Sequence, residues 1–270
     1  MARQPIEVAF ERRGKGDPLV LLHGIGHRWQ AWEPVLEALA ARHDVIAVDL
    51  PGFGRSPLLP DGRGYDMAGA VQACADIFDD MGLDHPHVAG NSLGGVISIE
   101  LASLGLVSSA TALAPAGFWT ARDRAWALRV LGMIRRSGRT PSWLLNPLIR
   151  NRLFRMAAGC VLYGRPSRMT AEIMLDDLAS MVGSPGFDLV AAAGRDYVFD
   201  SPPPTVPLTV AWGTRDRILW PRQARRAAEL LPKARHVWLH RAGHVPMIDA
   251  PEQVAALILE TCASVSARAA

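Results

Sequence analysis

The chain has 270 residues, 49% of them hydrophobic, with 29 Lys plus Arg against 26 Asp plus Glu and a formal net charge of +3. That is enough apolar side chain to fill one large core, which excludes disorder as the main state. The net charge is too small to point to nucleic acid by itself, and no zinc-ligand spacing, RNA-binding signature or lysine-rich tail supports that reading.

The first half alternates short apolar runs with helical patterns, the way a parallel sheet covered by helices reads. Leu19–Leu22 ends in His23-Gly24, Val45–Val48 in Asp49-Leu-Pro-Gly52, His87–Gly90 at Asn91-Ser92, and Ala110–Ala114 at Pro115. Between them the periodicity predicts helices over 32–41, 67–81 and 94–104. The stretch 101–121 carries no charged side chain and is long enough to cross a bilayer, but Ser103, Gly105, Pro115 and Gly117 interrupt it. It reads as a helix end followed by a buried strand, and no membrane span is expected. From 117 to 205 the chain reads as helical, with Thr120 and Asp123 as a capping pair, Gly138 as a stop and Thr170 as a further cap. Ser201-Pro-Pro-Pro204 is a stiff linker back to the sheet. The sheet pattern then resumes at 207–212, followed by a helix over 221–231, a strand over 236–240 and a last helix over 251–263. The expected division is therefore an α/β core from 1–116 and 206–270, with a helical cap at 117–205.

Three scattered cysteines, Cys74, Cys160 and Cys262, give neither a disulfide framework nor a metal or redox pair. Arg3 and Glu7 leave no room for the apolar stretch of a signal peptide. The expected compartment is the cytoplasm.

Gly90-Asn91-Ser92-Leu93-Gly94 is a G-x-S-x-G placed after an apolar strand and before a helical run, the context a nucleophile elbow requires. A sharp strand-to-helix turn strains the serine, and the flanking glycines avoid the clash that side chains would cause. A serine hydroxyl needs a base. Of His240 and His244, the second lies in a loop, Gly243-His-Val-Pro246, that can reach over the sheet edge, so His244 is the expected base. Asp216, on the loop after the 207–212 strand, is the expected partner for its imidazole. Asp49 reads as a structural residue of its loop, and Asp249 as a solvent-facing acid or a cap for the last helix. His27 and Trp119 are candidate substrate contacts, as is Val245 beside the base. No metal ligands are assigned.

His23-Gly24, Asp49–Ser56, Gly90–Gly95, Trp212–Asp216 and Gly243-His244, in the order Ser, Asp, His, resemble the α/β-hydrolase fold superfamily, in its serine-nucleophile branch. The resemblance covers nearly the whole chain. It implies a mostly parallel eight-stranded sheet flanked by helices, with a cap inserted after the sixth strand. It also implies an oxyanion hole formed by the backbone N–H groups of Ile25 and Leu93. The implied activity is that of a serine carboxylic ester hydrolase working through an acyl-enzyme, with no metal or organic cofactor. Carbon–carbon hydrolases of ring-fission products have a similar Gly-Asn-Ser elbow, although here His23-Gly-Ile-Gly-His-Arg28 replaces their His-Gly-Ser-Gly-Pro-Gly. Cofactor-free perhydrolases share the triad. A ligand receptor on this fold, with little turnover, is the reading from a different class.

The cap is rich in apolar residues, including Phe118, Trp119, Trp126 and Trp143, which favours a small hydrophobic acyl or aromatic substrate. Residues 122–168 hold eleven arginines, no lysine and the single acid Asp123, a local balance of +10 against −7 elsewhere. On a helical projection Trp126, Ala127, Val130, Leu131 and Ile134 form an apolar arc flanked by arginines. An anionic partner or surface is therefore expected at the cap.

Overall fold

The computed structural model describes residues 4–60 and 62–269. Its sheet contains β1 (Phe10–Arg13), β2 (Pro18–Leu22), β3 (Asp44–Val48), β4 (His87–Asn91), β5 (Ser109–Leu113), β6 (Leu208–Gly213) and β7 (Arg235–Leu239), in spatial order β1-β3-β2-β4-β5-β6-β7. β1 pairs antiparallel with β3, and every other neighbouring pair is parallel. The helices are α1 (Glu33–Ala40), α2 (Met67–Asp80), α3 (Leu93–Ser103), α4 (Ala121–Ser137), α5 (Ser142–Arg150), α6 (Arg152–Gly159), α7 (Ala171–Gly183), α8 (Gly186–Ala193), α9 (Arg222–Leu230), the short α10 (Pro246–Asp249) and α11 (Pro251–Ala269).

Because successive strand residues point to opposite faces, the sheet divides the apolar side chains into two layers. Val20, Leu22, Ile46, Val48 and Val88 pack with Val71 and Phe78 of α2 and with Val96 and Ile97 of α3. Leu19, Leu21, Val45, Ala47 and Ala89 pack with Leu36 and Leu39 of α1 and with Val254 and Ile258 of α11. Burial on both faces explains why these strands are continuous apolar runs.

Two expectations are corrected. The sheet has seven strands among the described residues, not eight, and the helical segment follows the fifth strand rather than the sixth. The chain ahead of β1 gives its hydrogen bonds to side chains: the Ile6 amide donates to Asp80 Oδ2 at 2.9 Å and the Ala9 amide to Ser56 Oγ at 2.9 Å. With those donors committed, no strand forms ahead of the edge among the described residues. The uncharged stretch 101–121 resolves into the end of α3, β5 and the chain leading into α4, and no helix among the described residues is long and apolar enough to cross a membrane.

Five helices, α4 to α8, fill the interval between β5 and β6. Thr120 and Asp123 form a reciprocal capping box at the start of α4, and Thr170 caps α7 by accepting from the Ile173 amide. Asp123 also pairs with Arg222 and Arg226 of α9, tying the helical segment to the sheet layer. Desolvation pushes its carboxyl up, but the Thr120 amide and the two guanidinium groups outweigh that and hold it well below the ordinary carboxylate range. The apolar arc of α4 turns inward: Ala127, Val130 and Leu131 are buried. Arg135 on the same helix is buried too. It donates to the Met181 carbonyl at 3.1 Å, pairs with Asp188, and lies 4.6 Å from the Phe187 ring centroid. The middle of the α4 arc is therefore core, Ile134 is partly buried and Trp126 stays exposed, and the basic face expected along the helix loses Arg135 to the interior.

Candidate active site

Ser92 stands between the end of β4 and the start of α3 with φ 56° and ψ −110°, a positive φ that is strained for a residue with a side chain. Main-chain bonds hold it there: its amide donates to the Leu113 carbonyl at 2.9 Å, and its carbonyl accepts from Val96 and Ala116, both at 3.1 Å. A Cβ at position 90 would lie 2.0 Å from the Gly94 carbonyl oxygen, and one at position 94 would lie 2.1 Å from the Leu22 oxygen. Both glycines of the motif are thus required by close backbone approach. The Leu93 amide opens α3, where a first-turn N–H has no intrahelical acceptor and the helix dipole is positive.

Ile25 lies on the loop after β2, and its amide donates to no other group among the described residues. The loop is fixed by His23, whose Nδ1–H donates to the Gly24 carbonyl at 2.7 Å while Nε2 accepts from the Leu50 amide at 2.9 Å. That pairing requires the neutral ring, and complete burial pushes its pKa down to about 3. Asp49 anchors the neighbouring loop as expected, accepting from the amides of Trp29 and Arg55 at 2.7 and 2.9 Å.

Asp216 and His244 come together beyond the ends of β6 and β7. His244 Nδ1 lies 2.9 Å from Asp216 Oδ2, while Asp216 Oδ1 accepts from the amides of Ile218 and Leu219 at 2.9 and 2.8 Å. Both residues are buried. One carboxylate oxygen is thereby locked by backbone and the other is aimed at the imidazole, which places the proton on Nδ1 and leaves Nε2 as an acceptor. His240 is exposed, beyond the end of β7.

The histidine loop is held from two sides. Asn91, immediately before the serine, donates through Nδ2 to the His244 carbonyl at 2.9 Å and to the Leu113 carbonyl at 3.1 Å. From the helical segment, the Leu162 carbonyl accepts the His244 amide at 2.7 Å. Asp249, at the end of α10, is fully buried, contrary to the expectation of a solvent-facing acid. Its Oδ2 accepts from the amides of Gly243 and Gly164, and its Oδ1 from the amide of Arg165, all at 2.7 Å. The local sequence offered no signal for this role, because two of the three amides come from residues 164 and 165.

Two spaces open at Ser92, and a third adjoins one of them. A small cavity is lined by Ser92, His244, Ile25, His27, Val245 and Asn91 among others, and so brings together most of the candidate residues. A larger, strongly apolar cleft shares Ser92 and Ile25 with it and extends between Phe53, Trp119, Val190 and Leu219. Trp119 is fixed there by its indole N–H, which donates to the Tyr197 carbonyl at 2.9 Å. A third cavity lies inside the helical segment and shares His27, Leu162 and Met181 with the small one. Burial lowers the pKa of His27, and the charge of Asp177 only partly opposes it. Among the described residues no group of three or more His, Cys, Asp or Glu side chains is arranged to hold a metal ion.

A family model described as the alpha/beta hydrolase family matches residues 19–257. The dihydrolipoyllysine-residue acetyltransferase component of an acetoin cleaving system from Pseudomonas putida is 31% identical over 258 residues, covering 91% of this chain; the chain spans 63% of that protein's length. A pimeloyl-[acyl-carrier protein] methyl ester esterase from Aeromonas hydrophila subsp. hydrophila is 29% identical over 262 residues, covering 94% of this chain and 98% of that protein. Among solved structures, a meta-cleavage product hydrolase from Pseudomonas fluorescens IP01 superposes with a TM-score of 0.74 at 21% identity, over 96% of this chain and 95% of that one, which is a likeness of fold.

Proposed function

This chain belongs to the alpha/beta hydrolase family, and on that premise we propose that it is a serine hydrolase that cleaves a hydrophobic carboxylic ester through Ser92, His244 and Asp216. The observation that carries the reading is the 2.9 Å contact between His244 Nδ1 and Asp216 Oδ2, in a cavity lined also by the strained Ser92. A neutral imidazole oriented in this way presents Nε2 as a base. In the proposed reaction Nε2 removes the Ser92 hydroxyl proton as Oγ attacks the ester carbonyl. The resulting oxyanion is held by the amides of Ile25 and Leu93, and the proton passes from His244 to the departing alcohol. Water, deprotonated by the same histidine, then attacks the acyl-enzyme and releases the acid. Asp216 stays ionised and stabilises the imidazolium in both halves.

The apolar cleft beside Ser92 supports a hydrophobic acyl group in preference to a sugar or a highly charged one. His27 and Val245 then lie at the reacting end, and Trp119 lines the acyl side. The Aeromonas hydrophila relative is a methyl ester esterase, which agrees with an ester as the bond cleaved. The test is a panel of p-nitrophenyl esters of graded chain length on wild type and Ser92→Ala. Turnover by wild type that is abolished in the variant is expected. Equal rates for both proteins would remove the proposal, and turnover of a ring-fission diketone without ester hydrolysis would move it to carbon–carbon cleavage.

A further inference from the structure

The arginine excess of the helical segment has an outward face that the chemistry at Ser92 does not use. α6 begins two residues after α5 ends, so the two helices form one corner. Trp143 is 76% exposed and Leu153 79%, and Leu144, Pro147, Leu148 and Phe154 are exposed beside them. On α5, Trp143, Pro147 and Arg150 follow at i, i+4 and i+7 along one side, while Ile149 faces inward and is buried. Water-exposed Trp, Leu and Phe in one short stretch are costly unless something covers them.

The charge carried by the corner's own residues and by the end of α4 is of one sign. Arg136, Arg139, Arg150 and Arg152 are exposed and form no ion pair among the described residues. No acid occurs between Asp123, which is buried against α9, and Glu172, which is exposed at the start of α7, where the charges of Arg150 and Arg155 act on it without an ion pair among the described residues. Apolar side chains that include a tryptophan, ringed by unpaired arginines, match an interface of acyl chains under anionic headgroups. An acidic protein would complement the arginines but leave Trp143 and Leu153 without a partner of their own kind. Leu148 and Phe154 also line the cavity inside the helical segment, whose lining residues His27, Leu162 and Met181 are shared with the cavity at Ser92. The corner therefore borders a cavity that adjoins the one at Ser92.

We propose that the α5–α6 corner is a docking surface for anionic lipid, with Trp143 and Leu153 entering the interface and Arg150 and Arg152 meeting the headgroups. The surface is independent of the ester chemistry proposed at Ser92, because its readout is binding. The test is flotation of the full chain with vesicles of equal parts phosphatidylglycerol and phosphatidylcholine, against vesicles of phosphatidylcholine alone. Wild type binds the anionic vesicles at least about tenfold more tightly, and added salt weakens that binding. The doubles Trp143→Ala with Leu153→Ala and Arg150→Glu with Arg152→Glu each weaken it by about tenfold or more. Both doubles keep the wild-type melting temperature and hydrolysis of a soluble short-chain ester, which shows that the fold is intact. Equal binding to both vesicle types, or doubles that bind as wild type does, would overturn the inference. Absence of binding to either vesicle would also overturn it and would assign the arginines to an acidic protein instead.

Discussion

The His244 amide donates to the Leu162 carbonyl at 2.7 Å, so the proposed base hangs on backbone contributed by the helical segment. Asn91 holds the same loop from the serine side through the His244 carbonyl. The histidine is thus positioned jointly by the sheet and by the segment that roofs it, and a shift of that segment alters base geometry as well as pocket shape.

Asp249 is the strongest point of that joint, with three amides converging on its two oxygens. In Asp249→Asn a side-chain NH2 must face donors, leaving at least one buried amide unsatisfied, at a cost of about 2–4 kcal/mol. The expected result is a lower denaturant midpoint and a fall in kcat larger than any change in KM. An unchanged midpoint would mean that the contacts between the 162–165 loop and the histidine loop hold without the carboxylate.

Asp216→Asn keeps the shape of the side chain but removes the acceptor that fixes the imidazole tautomer. The expected loss in kcat is on the order of 10⁴-fold, read by ester turnover at saturating substrate. A loss of less than tenfold would separate Asp216 from the proposed chemistry.

His23 gives a pH signature. Its folded pKa of about 3 lies below the ordinary value of 6.5, so between those limits the unfolded chain binds the proton and the folded one does not. Stability therefore rises with pH across this window and falls as pH drops below 6.5, with a slope of about 1.4 kcal/mol per pH unit from this residue near its middle. Denaturant unfolding at intervals from pH 4 to 7 measures it. His23→Gln flattens that part of the curve, although it lowers stability at neutral pH by about 1–3 kcal/mol through altered buried hydrogen bonding.

Val190 lines the apolar cleft that also includes Ser92 and is only partly buried, so a larger side chain there fills cleft space. Val190→Trp is expected to reduce kcat/KM for long-chain esters by at least about tenfold while leaving an acetyl ester nearly unaffected. A uniform loss across chain lengths would place the acyl group elsewhere.

The sheet and the elbow were legible because their physical constraints are local. Leu19–Leu22 and Val45–Val48 must be apolar along their whole length when covered on both faces, and Gly90 is forced by backbone packing within one turn, whereas Gly94 is forced by the approach of the Leu22 carbonyl from the neighbouring strand. β1 escaped notice because Phe10-Glu-Arg-Arg13 is an edge strand whose side chains stay partly solvated, so its pattern is charged rather than apolar. Long-range partners were illegible for a different reason. Asp249 finds two of its three amides 84 and 85 residues away, and Arg135 pairs with an acid 53 residues downstream; neither pairing leaves a mark in the local sequence. On the α4 projection Arg135 could be read only as rim.

The central claim is that Ser92 is the nucleophile, and the most direct measurement is mass spectrometry of the protein after reaction with a fluorophosphonate. The account predicts one adduct per chain, on the peptide containing Ser92, with ester turnover falling in step with labelling and no adduct in Ser92→Ala. No adduct on wild type, or an adduct on another residue that persists in Ser92→Ala, would contradict it.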